Sequence, residues 1–188
     1  MTTRFSPLQL DVAAFAKAGA DLVFDAAQEP ATDGLARVFA RLSAEACEPD
    51  GLVHVAWRAH AELRPGANGE PQPWVHLDAE AVLRLRCQRC LAPAELPVSA
   101  ERWFRFVADE ATAAAEDDES EEDVLALEPR FNLTQLVEDE LLMAVPLVPM
   151  HGVCPEAVPT SAGEDEFQAV LEARPSAFAA LSQLKAKT

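Results

Sequence analysis

The sequence contains 188 residues, of which 49% are hydrophobic, and this suits one domain with its own core, with or without an additional arm. Its formal net charge is −17, so its surface repels nucleic acid unless the few positive charges lie together in one place. The sequence contains neither a signal-peptide pattern nor an apolar run of about 18 residues, so we expect a cytoplasmic protein without a membrane span. In that compartment its four cysteines are expected to be reduced, metal-bound or redox-active.

Short elements are predicted at the N-terminus. Ser6–Asp11 alternates apolar and polar residues as a short strand does. Asp11 is then predicted to cap a brief helix, Val12–Ala18, which Gly19 closes. Asp21–Ala26 is predicted to form a second short strand.

A further helix is predicted to start at an Asp33 N-cap and to end near Ala46. Its apolar positions recur at the intervals that one helix face requires: Leu35, Val38, Phe39 and Leu42. Cys47 lies where this helix breaks, and it is interpreted as a small packing residue rather than as a ligand.

Beyond Gly51 the hydrophobic period shortens to two residues, which is typical of strands with one buried face. Three such strands follow, at Leu52–Arg64, at Val75–Cys87 and through Leu96 to Ala108. Because short loops join them, the sequence predicts an antiparallel β-meander, with helices packed on its apolar face. Three histidines lie at polar-face positions and are interpreted as solvated: His54, His60 and His76.

The segment Asp109–Glu128 contains ten acidic residues and no basic residue. A block of like charges is typical of a solvated, mobile loop, which is the interpretation favoured for residues 109–128. The alternative is an arm that mimics a polyanion or grips a basic partner.

The C-terminal part begins with a predicted helix, Leu133–Ala144, which Asn132 caps and which stops before Pro146. An extended, proline-punctuated segment, Pro146–Pro155, follows it. Residues 156–175 are predicted to be a polar linker, and Pro175–Lys185 a short amphipathic helix that docks on the core or awaits a partner.

The predicted fold class is therefore α+β: an antiparallel β-meander with helices packed on one face, an acidic disordered loop and a C-terminal helical tail. Residues 1–155 are predicted to form a single α+β domain that includes the mobile acidic loop 109–128. Residues 156–188 are predicted to be a linker and an amphipathic tail.

Four residues are candidate metal ligands. Cys87 and Cys90 form a C-x-x-C pair at the predicted hairpin tip, where the turn directs both sulfurs to one point, and His151-x-x-Cys154 is a second close pair. Zinc takes four sulfur or nitrogen ligands in a tetrahedron, so Cys87, Cys90, His151 and Cys154 could bind zinc. The alternative is that the thiols are simply reduced. A redox role is disfavoured, because low-pKa C-x-x-C motifs usually precede a helix and this one joins two strands.

Three arginines converge on the same tip: Arg84, Arg86 and Arg89. Such a cluster could meet phosphate groups of nucleic acid, and the alternative is a set of solubilising charges balanced by Glu80 and Glu95. The sequence contains no P-loop, no dinucleotide-binding glycine motif, no nucleophile elbow and no zinc-protease helix, so it indicates neither an enzyme nor a small-molecule substrate.

Several segments together resemble the YceD family, the large ribosomal RNA subunit accumulation proteins of bacteria and plastids. These segments are LRCQRCLAP at Leu85–Pro93, VEDELLMAVPLVPMH at Val137–His151 with Cys154 shortly after, and FAALSQLK at Phe178–Lys185. Their order and the acidic stretch between the first two also agree with the family. The resemblance covers Val75 to the C-terminus well and the first 70 residues weakly.

The resemblance implies a role in the synthesis, processing or stability of large-subunit (23S) ribosomal RNA. It also implies metal and nucleic-acid binding, in agreement with the four candidate ligands. The favoured hypothesis is a non-catalytic ribosome-biogenesis factor whose partner is pre-ribosomal large-subunit RNA or a basic ribosomal protein or assembly factor. The alternatives are a metal-dependent RNA-processing enzyme and a zinc-binding or thiol redox protein.

Overall fold

The computed structural model describes residues 5–28, 32–66 and 69–156, with no side-chain description at 32–34. The chain divides into two units, residues 1–153 and 154–188. The predicted polar linker and tail helix lie almost entirely outside the described residues. Within the described part of the chain, no helix is long and apolar enough to cross a membrane.

The first unit is an α+β fold built on one five-stranded sheet in the order β1-β2-β3-β4-β5. The helices and strands of the described residues follow the chain in this order: α1 (Val12–Ala18), β1 (Asp21–Asp25), α2 (Thr32–Val38), α3 (Ala40–Glu45), β2 (Leu52–Pro65), β3 (Pro71–Arg86), β4 (Pro93–Val107), α4 (Glu110–Asp117), β5 (Asp123–Ala126) and α5 (Leu133–Ala144). The fold class predicted from the sequence is confirmed, and the sheet is mixed because β5 pairs parallel to β4.

The predicted meander is confirmed in β2, β3 and β4, which pair antiparallel with Trp57 opposite Ala79 and Ala79 opposite Ala100. The alternation of β3 is the clearest, since one face is at most 3% exposed from Val75 to Cys87 at every second residue. In β2 the alternating sequence pattern assigns Val53 to the buried face. A bulge between Leu52 and His54 instead leaves this side chain 43% exposed. Helices α1 and α5 pack on the apolar face.

The N-terminal elements agree with prediction in part. Asp11 caps α1 by accepting from the Ala14 N–H at 2.9 Å, and Gly19 closes the helix at a φ of 55°. The strand predicted at Ser6–Asp11 is wrong in extent, because only Leu10 pairs, through an isolated bridge to Phe131.

The single helix predicted from Asp33 to Ala46 is also wrong. Two helices meet at Phe39, whose backbone leaves the helical region at φ −114° and ψ 58°. The first begins at Thr32, so that Asp33 lies inside it rather than at its cap. The break changes which residues face the core: Phe39 and Leu42 are fully buried, whereas Val38 is 48% exposed.

The mobile loop predicted at residues 109–128 is wrong as well, because this segment forms α4 and β5. Asp109 caps α4 by accepting from the Thr112 N–H at 2.9 Å. Arg105, only 9% exposed, bonds to Glu116 and, at 2.7 Å, to Glu122. Arginines of the neighbouring strand β4 thus bind carboxylates of this segment. The sequence of the acidic segment alone does not show these partners.

Helix α5 is capped as predicted, since Asn132 accepts from the Gln135 N–H at 3.1 Å. Leu133, Val137 and Leu141 are fully buried. Glu138, which the helical pattern places in solvent, is instead 6% exposed and bonds to the backbone N–H groups of Arg41 and Leu42 at the start of α3. It therefore supplies the side-chain cap that Phe39 cannot give to α3.

Candidate metal centre

The tip of the β3–β4 hairpin carries the C-x-x-C motif. The Cys87 N–H donates to the Ala92 carbonyl at 3.0 Å, and the Leu91 N–H donates to the Cys87 carbonyl at 2.9 Å. Leu91 has a φ of 63°, the left-handed conformation that lets the chain reverse here. The turn is therefore closed by backbone hydrogen bonds at both ends, and it fixes the positions of Cys87 and Cys90.

The segment that follows α5 lies on this turn. The Gln88 N–H donates to the Pro149 carbonyl at 2.8 Å, and the His151 N–H lies 3.5 Å from the Cys87 sulfur. Helix α5 ends at Ala144, and the chain beyond it is extended enough to bring His151 to the hairpin tip.

The imidazole of His151 is held in one orientation by a backbone acceptor. Its Nε2 lies 3.0 Å from the Pro93 carbonyl, which can only accept, so Nε2 is the donor in this contact. The other ring nitrogen, Nδ1, lies 3.3 Å from the Cys90 sulfur. Metal-binding histidines typically donate their second N–H to a carbonyl in this way, which leaves the other nitrogen free to coordinate.

All four candidate ligands are brought together. The ligand atoms of Cys87, Cys90, His151 and Cys154 lie within 4.8 Å of one another. In a tetrahedral zinc site with Zn–S bonds of about 2.3 Å, ligand atoms are roughly 3.5–3.8 Å apart, so a small contraction would complete the coordination sphere. The cluster could hold a metal ion.

The thiol of Cys87 has a pKa lowered to about 5. The main cause is the backbone N–H of Cys90, and the N–H groups of His151 and Arg89 act in the same direction against the burial of the sulfur. A thiolate is the form of cysteine that binds metals, so the backbone of the turn prepares Cys87 for coordination.

The three predicted arginines lie around the tip but differ in their partners. Arg84 pairs with Glu95, with its Nε 2.9 Å from the carboxylate. Arg86 and Arg89 are exposed and make no ion pair with a described residue, and the Arg89 guanidinium lies 3.9 Å from the Met150 sulfur. Two of the three arginines are therefore open to solvent next to the cysteines.

Cys47 lines a cleft of about 600 Å³ beside the tip, between the end of β3 and the end of α5. Its backbone N–H donates to the Arg84 carbonyl at 2.9 Å. It does not belong to the cluster of candidate ligands. The cleft is lined by apolar residues such as Leu85 and Leu142 and also by the polar residues Glu45, Arg86 and Gln88.

Sequence reasoning missed an aromatic group on the polar face of the sheet. Trp74, Trp103 and Arg64 lie together there, with the Arg64 guanidinium carbon 3.7 Å from the Trp103 ring centre. A signal for it exists in the alternation itself, because both tryptophans occupy positions that the strand period assigns to the polar face. Large aromatic residues at such positions indicate a function for the face.

Comparison with known protein families gives a match over the C-terminal part of the chain. The model of the family described as "Large ribosomal RNA subunit accumulation protein YceD" matches residues 75–185. No curated protein and no solved structure matches. The matched region begins in β3 and includes the hairpin tip, α5 and all four candidate ligands.

Proposed function

We propose, from the premise that this chain belongs to the YceD family, that it is a non-catalytic, cytoplasmic factor in the biogenesis of the large ribosomal subunit. In this role it supports the synthesis, processing or stability of 23S ribosomal RNA. The observation that carries the proposal is that the family match spans the candidate metal centre and the strands and helix that build it. The proposed role therefore belongs to the part of the fold that contains β3, β4, α5 and the hairpin tip.

We propose further that the metal is zinc and that its role is structural. The candidate ligands are three cysteines and one histidine, a set that zinc fills as a closed tetrahedron with no position left for a water molecule. Such a site would tie the segment after α5 to the hairpin tip. A closed site supports a non-catalytic function, since hydrolytic zinc needs an open position.

The partner of the factor is a pre-ribosomal particle. Arg86 and Arg89 are the exposed cations at the tip and would lie near RNA phosphate groups. The net charge of −17 opposes contact with bare RNA over the rest of the surface and favours a basic ribosomal protein or assembly factor there.

Sedimentation of extracts from growing cells tests the proposal. The tagged full chain is expected to co-migrate with precursors of the large subunit, and its depletion is expected to lower mature 23S RNA or to enrich its precursors. Cys90→Ser is expected to reduce this activity, and Cys47→Ser, outside the cluster, is the matched control. A chain that never co-migrates with these precursors, and whose loss leaves large-subunit RNA unchanged, would refute the proposal.

The low pKa of Cys87 supports one second candidate, a thiol redox protein, because thiolates attack disulfides. Against it, the Cys87 side chain is completely buried and an attacking sulfur needs access. Mixing reduced, metal-stripped protein with oxidised glutathione distinguishes the two. Rapid formation of a Cys87–Cys90 disulfide would favour the redox function, and slow formation the structural one.

A further inference from the structure

The polar face of the sheet carries a cleft of about 540 Å³ at the end opposite the cysteine turn. Two tryptophans form its floor: Trp74 of β3 and Trp103 of β4, whose ring centres lie 6.3 Å apart at an interplanar angle of 67°. His76 lies against Trp103, with ring centres 4.6 Å apart and the ring planes tilted by 35°. None of these rings packs into the apolar core on the other face.

A guanidinium group already lies on this floor. The Arg64 guanidinium carbon is 3.7 Å from the ring centre of Trp103 and 4.5 Å from that of Trp74. The negative faces of the two indoles therefore accept a planar cation from the chain itself. Arg64 lies at the end of β2 and, among the described residues, makes one ion pair, to Glu62 of the same strand at 2.5 Å. Both side chains of this pair are more than a third exposed, and ion pairs screened by solvent hold a side chain weakly, so the group could move aside.

The rim of the cleft is acidic. Four carboxylates line it, against the guanidinium groups of Arg64 and Arg102. The rim carboxylates are Glu101, Glu121, Glu122 and Asp123. Asp123 pairs with Arg102 at 2.9 Å and Glu122 with Arg105 at 2.7 Å, while Glu101 lies 3.2 Å from His76. Glu121 is exposed and makes no ion pair with any described residue, so it is the rim carboxylate whose charge neither an arginine nor a histidine of the described residues balances.

We propose that this cleft is a binding site for an arginine side chain of a basic protein segment. The incoming guanidinium stacks on Trp103 and Trp74, beside Arg64 or in its place, and Glu121 supplies the counter-charge. This inference rests on the proposed function only in taking the partner to be a basic ribosomal or assembly protein. The site itself follows from the indole pair, the bound guanidinium and the acidic rim.

RNA is the occupant that the charges disfavour. Aromatic side chains also stack on bases, but the sites that do so line their grooves with cations that follow the phosphate backbone. Here the groups around the rings are mostly carboxylates, which repel phosphate and attract arginine or lysine. Arginine is favoured over lysine because its flat, weakly hydrated cation stacks on indole faces.

Fluorescence anisotropy with the purified full chain tests the proposal. The probes are a labelled peptide of alternating arginine and glycine, the matched lysine–glycine peptide, and a labelled ten-nucleotide oligouridine. Two variants change the site, Glu121→Gln and Trp103→Leu. The matched control is Glu119→Gln, an exposed carboxylate of the same acidic segment that does not line the cleft.

The arginine peptide is expected to bind tighter than the lysine peptide and the oligouridine. Glu121→Gln should weaken its binding about threefold and Trp103→Leu about tenfold, with no change for Glu119→Gln. Equal effects of Glu121→Gln and Glu119→Gln, equal binding of both peptides, or tighter binding of oligouridine would overturn the proposal. Glu121 is exposed, so its variant decides the matter even if Trp103→Leu unfolds. Because the assay contains no ribosomal component, its failure leaves the proposed function standing, and failed co-sedimentation leaves the peptide result standing.

Discussion

The proposed zinc site makes the most direct prediction: zinc should stabilise the wild-type chain, and Cys90→Ser should remove this stabilisation. Cys90 is the ligand to change because it is partly exposed, whereas Cys87 is completely buried and its replacement would also disturb the core. Serine keeps the size of the side chain but offers no thiolate, so we expect zinc affinity to fall by about 100-fold or more.

The size of the effect follows from mass action. At a free zinc concentration of about 100 times the dissociation constant, binding stabilises the folded chain by about 2.7 kcal/mol. A variant with about 100-fold weaker binding retains only about 0.4 kcal/mol at the same concentration. For a chain of this size, a difference of about 2.3 kcal/mol corresponds to roughly 5–9 °C in the midpoint of thermal unfolding.

The assay is thermal unfolding followed by circular dichroism, in reducing buffer, with zinc buffered at a fixed free concentration and then removed by chelator. The wild-type and Cys47→Ser chains should lose stability on chelation, and Cys90→Ser should change little. Elemental analysis of the reduced wild-type protein should give one zinc per chain. No zinc in that analysis, or equal effects of chelator on wild type and Cys90→Ser, would refute the reasoning.

Three further predictions concern the fold. Glu138→Ala should lower the free energy of unfolding in urea by about 2–4 kcal/mol, because it leaves the N–H groups of Arg41 and Leu42 at the start of α3 without their acceptor. The control Asp139→Asn, at an exposed carboxylate, should lower it by about 0.5 kcal/mol or less. A loss below about 1 kcal/mol for Glu138→Ala would contradict the capping role. Asn132→Ala should cost about 1 kcal/mol by removing the cap of α5, and an unchanged urea midpoint would count against that cap. Burial raises the pKa of Glu140 despite the opposing charge of Arg102, so ionising this carboxylate costs stability as the pH rises above the usual glutamate range. Glu140→Gln should therefore gain stability relative to wild type between pH 4 and pH 7, and a relative loss over that range would show that the Arg102 pair dominates.

The sequence predicts those parts of the molecule that depend on local spacing. The alternation of β2 and β3 fixes which face is buried, and the caps Asp11 and Asn132 mark helix starts because their partners lie three residues away. The Cys87–Cys90 spacing likewise identifies the turn. The contact of this turn with His151 joins residues 61 positions apart in the chain. It could be predicted only because the sequence contains few other cysteines and histidines that could bind a metal.

The features that the sequence does not reveal depend on partners distant in the chain. The acidic segment folds because Arg105 of β4 bonds to Glu116 and Glu122, and charge counting within the segment cannot include that arginine. Glu138 is buried because it meets the start of α3, 97 residues earlier. The helix break at Phe39 has the same origin, since the buried ring is placed by the sheet beneath it rather than by the helical period.

The bridge between Leu10 and Phe131 has a consequence for synthesis on the ribosome. The Leu10 N–H donates to Phe131 at 2.8 Å, and the Leu133 N–H donates to the Pro7 carbonyl at 2.8 Å. Because translation proceeds from the N-terminus, the segment before α1 cannot complete these hydrogen bonds until residue 133 has left the exit tunnel. The apolar side of the growing sheet therefore stays uncovered by α5 throughout that interval, and we expect the nascent chain to be a substrate for chaperones.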